Sequence, residues 1–281
     1  MDTNEKILRK SFDKAVNSGI SGASAMAIQV TSLMWLRTTM NYQYRYGTTT
    51  TNALKSLYKE GGILRFYRGY LPALLQAPIS RFGDTAANMG MNTYLNSNPN
   101  TKDLPIAAKT LMASMTAGIW RIFLMPIDTT KTIMQVEGKN GLGMLGSKIK
   151  KGGPGVLYHG ALGAYSATVV GHFPWFYTYN ILDDSLPKYD TTIMKFIRNG
   201  GIGFTASVVS DCSSNSLRVI KTTKQTFDTP ISYKDTVNHI IKNDGIKGLF
   251  GRGLKTRIIT NGIQGCMFTV LWKYFQEASK K

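Results

Sequence analysis

Met125-Pro126-Ile127-Asp128-Thr129-Thr130-Lys131 stands near the middle of the chain, and altered copies of it flank it on both sides. The upstream copy is Ser32-Leu33-Met34-Trp35-Leu36-Arg37 and the downstream copy is Ser216-Leu217-Arg218-Val219-Ile220-Lys221. From 32 to 126 is 94 residues, and from 126 to 216 is 90. A repeat at a fixed interval sets the architecture of the whole chain, so it is read before anything else.

Each copy is followed by a second signature. These are Glu60-Gly61-Gly62-Ile63-Leu64-Arg65-Phe66-Tyr67-Arg68-Gly69, Gly152-Gly153-Pro154-Gly155-Val156-Leu157-Tyr158-His159-Gly160 and Asp244-Gly245-Ile246-Lys247-Gly248-Leu249-Phe250-Gly251-Arg252-Gly253. From the Ser or Pro of the first signature to the last Gly of the second is 37, 34 and 37 residues (32 to 69, 126 to 160, 216 to 253). Two linked signatures holding their spacing three times divide the 281 residues into three similar units, about 12–97, 104–186 and 191–277, within one body.

The net charge is +18. Such a balance suits nucleic acid, an anionic membrane or anionic solutes. The basic residues recur in the segments after each first motif, as Lys55, Lys59, Arg65 and Arg68, then Lys148, Lys150 and Lys151, then Lys242, Lys247 and Arg252. That repeat-locked placement suits an anionic lipid surface at least as well as a duplex, and no nucleic-acid partner is expected. Cys212 and Cys266 form no CxxC and no Cys/His cluster, so no metal site and no disulfide framework is expected, and both are expected as buried thiols. There is no Walker loop and no strand-linked GxGxxG, and His159, His172 and His239 are far apart. Without a nucleophile–base or metal-ligand set, an enzyme is not expected, and no cofactor is implied. Asp2, Glu5 and Asp13 argue against a cleavable presequence, since transit peptides are poor in acidic residues.

Mean hydropathy is −0.13, and no run of twenty apolar residues occurs. Six stretches are nevertheless long, low in charge and rich in small residues: 14–40, 70–95, 105–136, 160–183, 192–225 and 254–276. Small residues let membrane helices approach closely, where lipid supplies no hydrophobic drive between them. Gly19 with Gly22, Ala113-Ser114-Met115-Thr116-Ala117-Gly118, and Gly200, Gly201 and Gly203 fit that use. Between paired stretches, 51–59 and 234–242 carry apolar residues at helical spacing and read as helices lying on a membrane surface. Pro126 is expected to kink a long helix, with Asp128 and Lys131 on one face just after it.

Three repeats of Pro-x-Asp/Glu-x-x-Lys/Arg, each followed by Asp/Glu-Gly-x4-aromatic-Lys/Arg-Gly, resemble the mitochondrial carrier family over about residues 12–277. The resemblance implies an all-α membrane protein. Six transmembrane helices in three pseudo-symmetric repeats would surround a central cavity, with short surface helices on the matrix side. It also implies a multi-pass place in the mitochondrial inner membrane. Only the middle copy of the first motif is complete, including Gln135 at the glutamine-brace position. In the family the acid of one repeat pairs with the base of the next to close a matrix gate. Carried over here, Met34 has no charge to offer Lys131, Asp128 can pair with Lys221, and Arg218 faces Arg37. Two like charges about 4 Å apart cost roughly 1 kcal/mol in water and ~4 kcal/mol at an effective dielectric of 20.

The resemblance places substrate contacts near Gln76, Ala167-Thr168 and Thr260-Asn261, and the outer gate at Asn88/Met91, Asn180/Asp183 and Lys273/Gln276, with Asp183 in reach of Lys273. Arg81, Asp84, Arg121, His172, Asp211 and Arg257 are further ionisable candidates at membrane depth. Arg81 and Asp84 are spaced to pair with each other, and His172 reads either as a ligand or as a satisfied core residue. Tyr67-Arg68-Gly69, Tyr158-His159-Gly160 and Arg252-Gly253 resemble the family's cardiolipin sites, where helix-start N–H groups hold a phosphate. Two functions are therefore expected to compete. One is alternating-access transport of a small, anionic metabolite. The other is a non-transporting subunit of a large inner-membrane assembly, suggested by the degenerate gate motifs.

Overall fold

A computed structural model of the chain describes residues 26–97 and 99–278. The order is α1 (26–46), α2 (Thr50–Phe66), α3 (Tyr70–Ser97), α4 (Ile106–Phe123), α5 (Met125–Glu137), α6 (Gly141–Gly152), α7 (Ala161–Ser185), α8 (Thr192–Thr226), α9 (Tyr233–Gly251) and α10 (Leu254–Ala278). No strand occurs among the described residues. The long helices form a ring. α3 packs on α4, α4 on α7, α7 on α8 and α8 on α10. α1 closes it, with Val30 and Met34 against Ala73 and Ala77 of α3, and Gln29 Nε2 donating to the Gln264 carbonyl of α10 at 2.8 Å.

The ring is apolar outside and polar inside. Leu71, Leu75 and Phe82 on α3, Ile119 and Phe123 on α4, and Ile193 and Ile197 on α8 are exposed. Buried polar side chains among the described residues are as numerous as buried apolar ones. This is the pattern of a bundle bathed in lipid around a wet interior. Among the described residues no single helix is long and apolar enough to cross a membrane by hydropathy; only the bent pair formed by Ile106–Phe123 and Met125–Gly152 qualifies. The inward faces carry the polar residues that dilute the average.

Pro126 does more than kink. The chain breaks at Leu124, and Met125–Gly152 leaves Ile106–Phe123 at 67°. α1 and α8 carry Ser32 and Ser216 at the equivalent positions and run unbroken. The small face of α4 is buried as expected, and a Cβ on Gly118 would lie 2.7 Å from the Tyr165 ring. Gly200, Gly201 and Gly203 depart from the expectation, because nothing lies within 4 Å of a Cβ there. Gly19 and Gly22, like the start of the first expected stretch, lie outside the described residues. Cys212 and Cys266 are exposed rather than buried. The surface helices are α2, α6 and α9; α6 (GLGMLGSKIKKG) has no counterpart among the amphipathic segments expected from sequence, because glycine occupies a third of it.

The fixed spacing of the two signatures has a mechanical cause. Within each repeat, a polar side chain of the first-motif helix donates to a carbonyl of the second signature: Thr38 to Phe66 O (2.7 Å), Thr129 to Leu157 O (2.7 Å), and Asn215 to Phe250 O (2.8 Å). The terminal glycines then bind each repeat to the next. Gly69, Gly160 and Gly253 have φ of 79°, 87° and 65°. A Cβ at Gly69 would lie 2.9 Å from Lys131 O, at Gly160 3.2 Å from Lys221 O, and at Gly253 2.7 Å from the Tyr44 ring. The cycle runs from repeat one to two to three and back to one. Gly253→Ala forces both a left-handed alanine and a clash. We expect it to lower stability by about 2–3 kcal/mol in thermal unfolding, whereas Gly90→Ala, in open space within α3, should be neutral or slightly stabilising.

The same cycle appears in the helix ends. Arg65 Nη1 and Nη2 donate to Gln135 O (2.8 Å) and Val136 O (2.6 Å) at the end of α5. Lys148 Nζ donates to Gln225 O (3.0 Å) at the end of α8. Arg252 Nη1 donates to Tyr44 O (3.3 Å) and Arg45 O (3.2 Å) at the end of α1. Each places a cation on the last carbonyls of a helix, where the macrodipole is negative. Burial pulls the Lys148 ammonium down to about 8, with the Asp228 and Glu137 carboxylates acting in the opposite direction.

Candidate functional site: three helix seams beside a cationic cavity

The three copies of the first motif converge at one end of the ring, where α1, α5 and α8 meet. Pro126 starts α5 so that Asp128 enters the ring interior, 5% exposed. Its Oδ1 accepts from Lys131 Nζ and Gln76 Nε2, both at 2.8 Å. Its Oδ2 accepts from Lys221 Nζ at 2.5 Å and Gln225 Nε2 at 3.2 Å. One carboxylate thus uses its whole acceptor capacity on two ammonium groups and two amides. The expectation that Lys131 lacks an acid is corrected by this arrangement. Lys131 takes Asp128 from its own helix and also donates to Gln76 Oε1 at 2.6 Å.

The other two seams differ. Between α1 and α5, Asn41 Nδ2 donates to Gln135 Oε1 at 2.5 Å, and Gln135 Nε2 sits 3.5 Å from Sδ of the fully buried Met34. Between α8 and α1, Arg218 Nε reaches the Ser214 hydroxyl at 3.3 Å, and Arg37 Nε reaches the Gln264 amide oxygen at 3.0 Å. Thr223 Oγ1 donating to Tyr44 O at 3.1 Å holds these two helices together. One seam is ionic, one neutral and one cationic. Asn41 and Gln225 were not singled out from sequence. The signal was present in the repeat register: each lies four residues past the basic residue of its copy, as Gln135 lies four past Lys131.

Beside these residues lies a cavity of about 310 Å3. Gln76, Arg81, Asp84, Thr260 and Asn261 line it as expected. Thr168 and His172 are not among its lining residues. Thr168 bonds back to Ala164 O at 2.9 Å, and the His172 ring meets the Phe176 ring edge-on at 6.3 Å. No residue of their helix, α7, is among those lining the cavity. Asp84 does not pair with Arg81; it accepts from Arg121 of α4 at 2.5 Å. Asp211 accepts from Arg257 Nε at 2.5 Å and from the Asn261 amide. At the opposite end, Asp183 takes Arg198 at 2.6 Å, and Arg198 also caps the Asp183 and Leu186 carbonyls. The side chains of Asn88, Lys273 and Gln276 lie outside the described residues.

Tyr67, Arg68 and Gly69 border a separate, mostly apolar cleft of about 700 Å3 with Leu71, Leu75, Pro126, Ile127, Met134 and Leu142. Tyr158 is exposed beside the buried Gly160. Arg252, read from sequence as a lipid contact, is instead 6% exposed and committed to Asp244 (2.8 Å) and to the end of α1.

A comparison with curated proteins returned no match. The family model described as mitochondrial carrier protein matches three consecutive segments, 9–98, 102–190 and 193–281. Three tandem matches spanning nearly the whole chain, over a ring of three cyclically tied helical units, establish that the chain belongs to the mitochondrial carrier protein family.

Proposed function

We propose that this carrier moves a small, anionic metabolite across the mitochondrial inner membrane by alternating access. Its family moves solutes across a membrane and typically lies in that membrane as a multi-pass protein. The finer reading rests on one observation. The cavity is lined by Arg37, Arg81, Arg121, Lys131, Arg218, Lys221 and Arg257, against Asp84 and Asp128. Seven cations less two carboxylates leave +5, or +4 when Asp211 behind Arg257 is included. A low-dielectric funnel of one sign concentrates counter-ions of the other. A volume of about 310 Å3 suits a small metabolite.

Binding drives the cycle only if the solute prefers one state. Here Asp128, Lys131, Lys221 and Gln76 would hold the matrix side shut in the outward-facing state. A negative solute competing with Asp128 for Lys131 and Lys221 would weaken that closure. The non-transporting reading drew its force from the broken motif copies. With Asp128 serving two lysines and amides closing the neutral seam, the gate supports transport. Cardiolipin would occupy the cleft of Tyr67, Arg68 and Gly69, its phosphate toward Arg68 and its chains along Leu71, Leu75 and Ile127.

The test is exchange by the purified protein in liposomes of defined internal anion. Uptake of labelled phosphate, sulfate or short carboxylates is expected, with cationic and neutral solutes excluded. Uptake confined to cations or neutral solutes, or none at all, defeats this reading.

A further inference from the structure

The seam between α1, α8 and α10 holds more positive charge than it neutralises. Arg218 occupies the place where the repeat pattern puts an acid, and it shares the cavity wall with Arg37 and Arg257. Among the described residues, only Arg257 of the three is paired with a carboxylate, Asp211. Arg218 has the neutral Ser214 hydroxyl, and it feels the like charges of Arg257 and Arg121 along with the Asp211 carboxylate that Arg257 already holds. Arg37 meets the neutral Gln264 amide and also feels Arg257. Three guanidiniums on one carboxylate leave +2.

A second observation points into the same space. The Tyr44 side chain is 2% exposed and lines the cavity with its hydroxyl beside the Arg257 guanidinium, a group that can only donate, so the Tyr44 O–H proton has no acceptor among the described residues. Buried hydroxyls almost always donate as well as accept, so one whose proton has no acceptor marks a place for a ligand oxygen. Guanidinium forks match oxyanions bidentately, and a phenol O–H adds a third donor.

We propose that a dianionic oxyanion, a phosphoryl group or a dicarboxylate, binds between Arg37 and Arg218 with the Tyr44 hydroxyl as a further donor, and so closes the seam between the first and third repeats. The ligand supplies the charge that Arg218 denies to Arg37. The α5–α8 seam needs no such help, because Asp128 is part of the chain. The gate is thus closed on one side by the protein and on another by its cargo. This deepens the anionic-solute reading and rests on it for the class of ligand.

The test is thermal unfolding of the full chain in detergent, followed by tryptophan fluorescence. Inorganic phosphate, sulfate and malonate are compared with chloride at matched ionic strength. A ligand of the native state raises its stability saturably. Phosphate and sulfate, malonate, or both are expected to raise the midpoint, and which of them does so identifies the group bound. Arg37→Gln and Tyr44→Phe should weaken the apparent affinity, the former at least tenfold. Arg218→Asp should raise the midpoint in chloride alone and abolish the dianion effect. Arg218→Gln, which keeps a neutral side chain there, should abolish the effect without that rise. An absent dianion effect in the unsubstituted protein, or an undiminished effect in either Arg218 variant, overturns the proposal. Liposome exchange separates it from the transport reading. Anion exchange with an Arg218-independent stability effect sinks only this site. An Arg218-dependent effect without exchange sinks only transport.

Discussion

Asp128→Ala should be the most damaging single change in the gate, lowering stability by about 3–5 kcal/mol and abolishing exchange. The carboxylate is buried and meets Lys131, Lys221, Gln76 and Gln225. Its removal leaves two ammonium groups facing each other without a counter-charge, and breaking a buried pair from one side costs far more than the pair contributes net. The damage should be asymmetric. Lys221→Met still leaves Asp128 with Lys131 at 2.8 Å, so its cost should be well under that of Asp128→Ala. The double variant Asp128→Asn with Lys221→Met removes an acid and a base together and should regain part of the stability without regaining transport. Thermal unfolding of the three proteins decides this. Equal losses for Asp128→Ala and Lys221→Met would show that Asp128 is no hub.

Arg65→Ala should follow closely, at about 3–5 kcal/mol, although it lies outside both gate and cavity. Arg65 is 4% exposed and binds Glu60 (2.6 Å), Gln135 O and Val136 O. Alanine leaves a void, two buried carbonyls without donors and the negative end of α5 uncompensated. Those carbonyls belong to the turn that carries Gln135, so the neutral seam of the gate should loosen with them. Arg65→Lys should recover less than half the loss, because an ammonium cannot reproduce the planar fork that spans two successive carbonyls. Chemical or thermal unfolding read beside an exchange assay checks both points. Full rescue by lysine would show that charge alone is what matters.

The repeat was plain in the sequence because its parts answer local needs. The terminal glycines are demanded by positive φ and close approach, and Pro126 by the start of α5. The gate's third-repeat glutamine, Gln225, was equally present but sits in a copy whose Pro and acid are gone, so only the repeat register points to it. The capping cations were not legible at all. Arg65, Lys148 and Arg252 do the same job from three different positions in their repeats, because a long flexible side chain can reach one helix end from several starting points. Arg252 accordingly reads from its motif as a lipid contact while the packed protein uses it as a cap.

By itself, then, the sequence determined the three-unit all-α architecture and the family. These follow from short-range spacing and residue type, which survive without knowledge of neighbours. The partnership of each charge was decided only by the tertiary structure. Asp128 serves two lysines, Asp84 takes Arg121 rather than Arg81, and Arg218 has no acid among the described residues, because charges pair across helices whose rotation about their axes no linear spacing fixes.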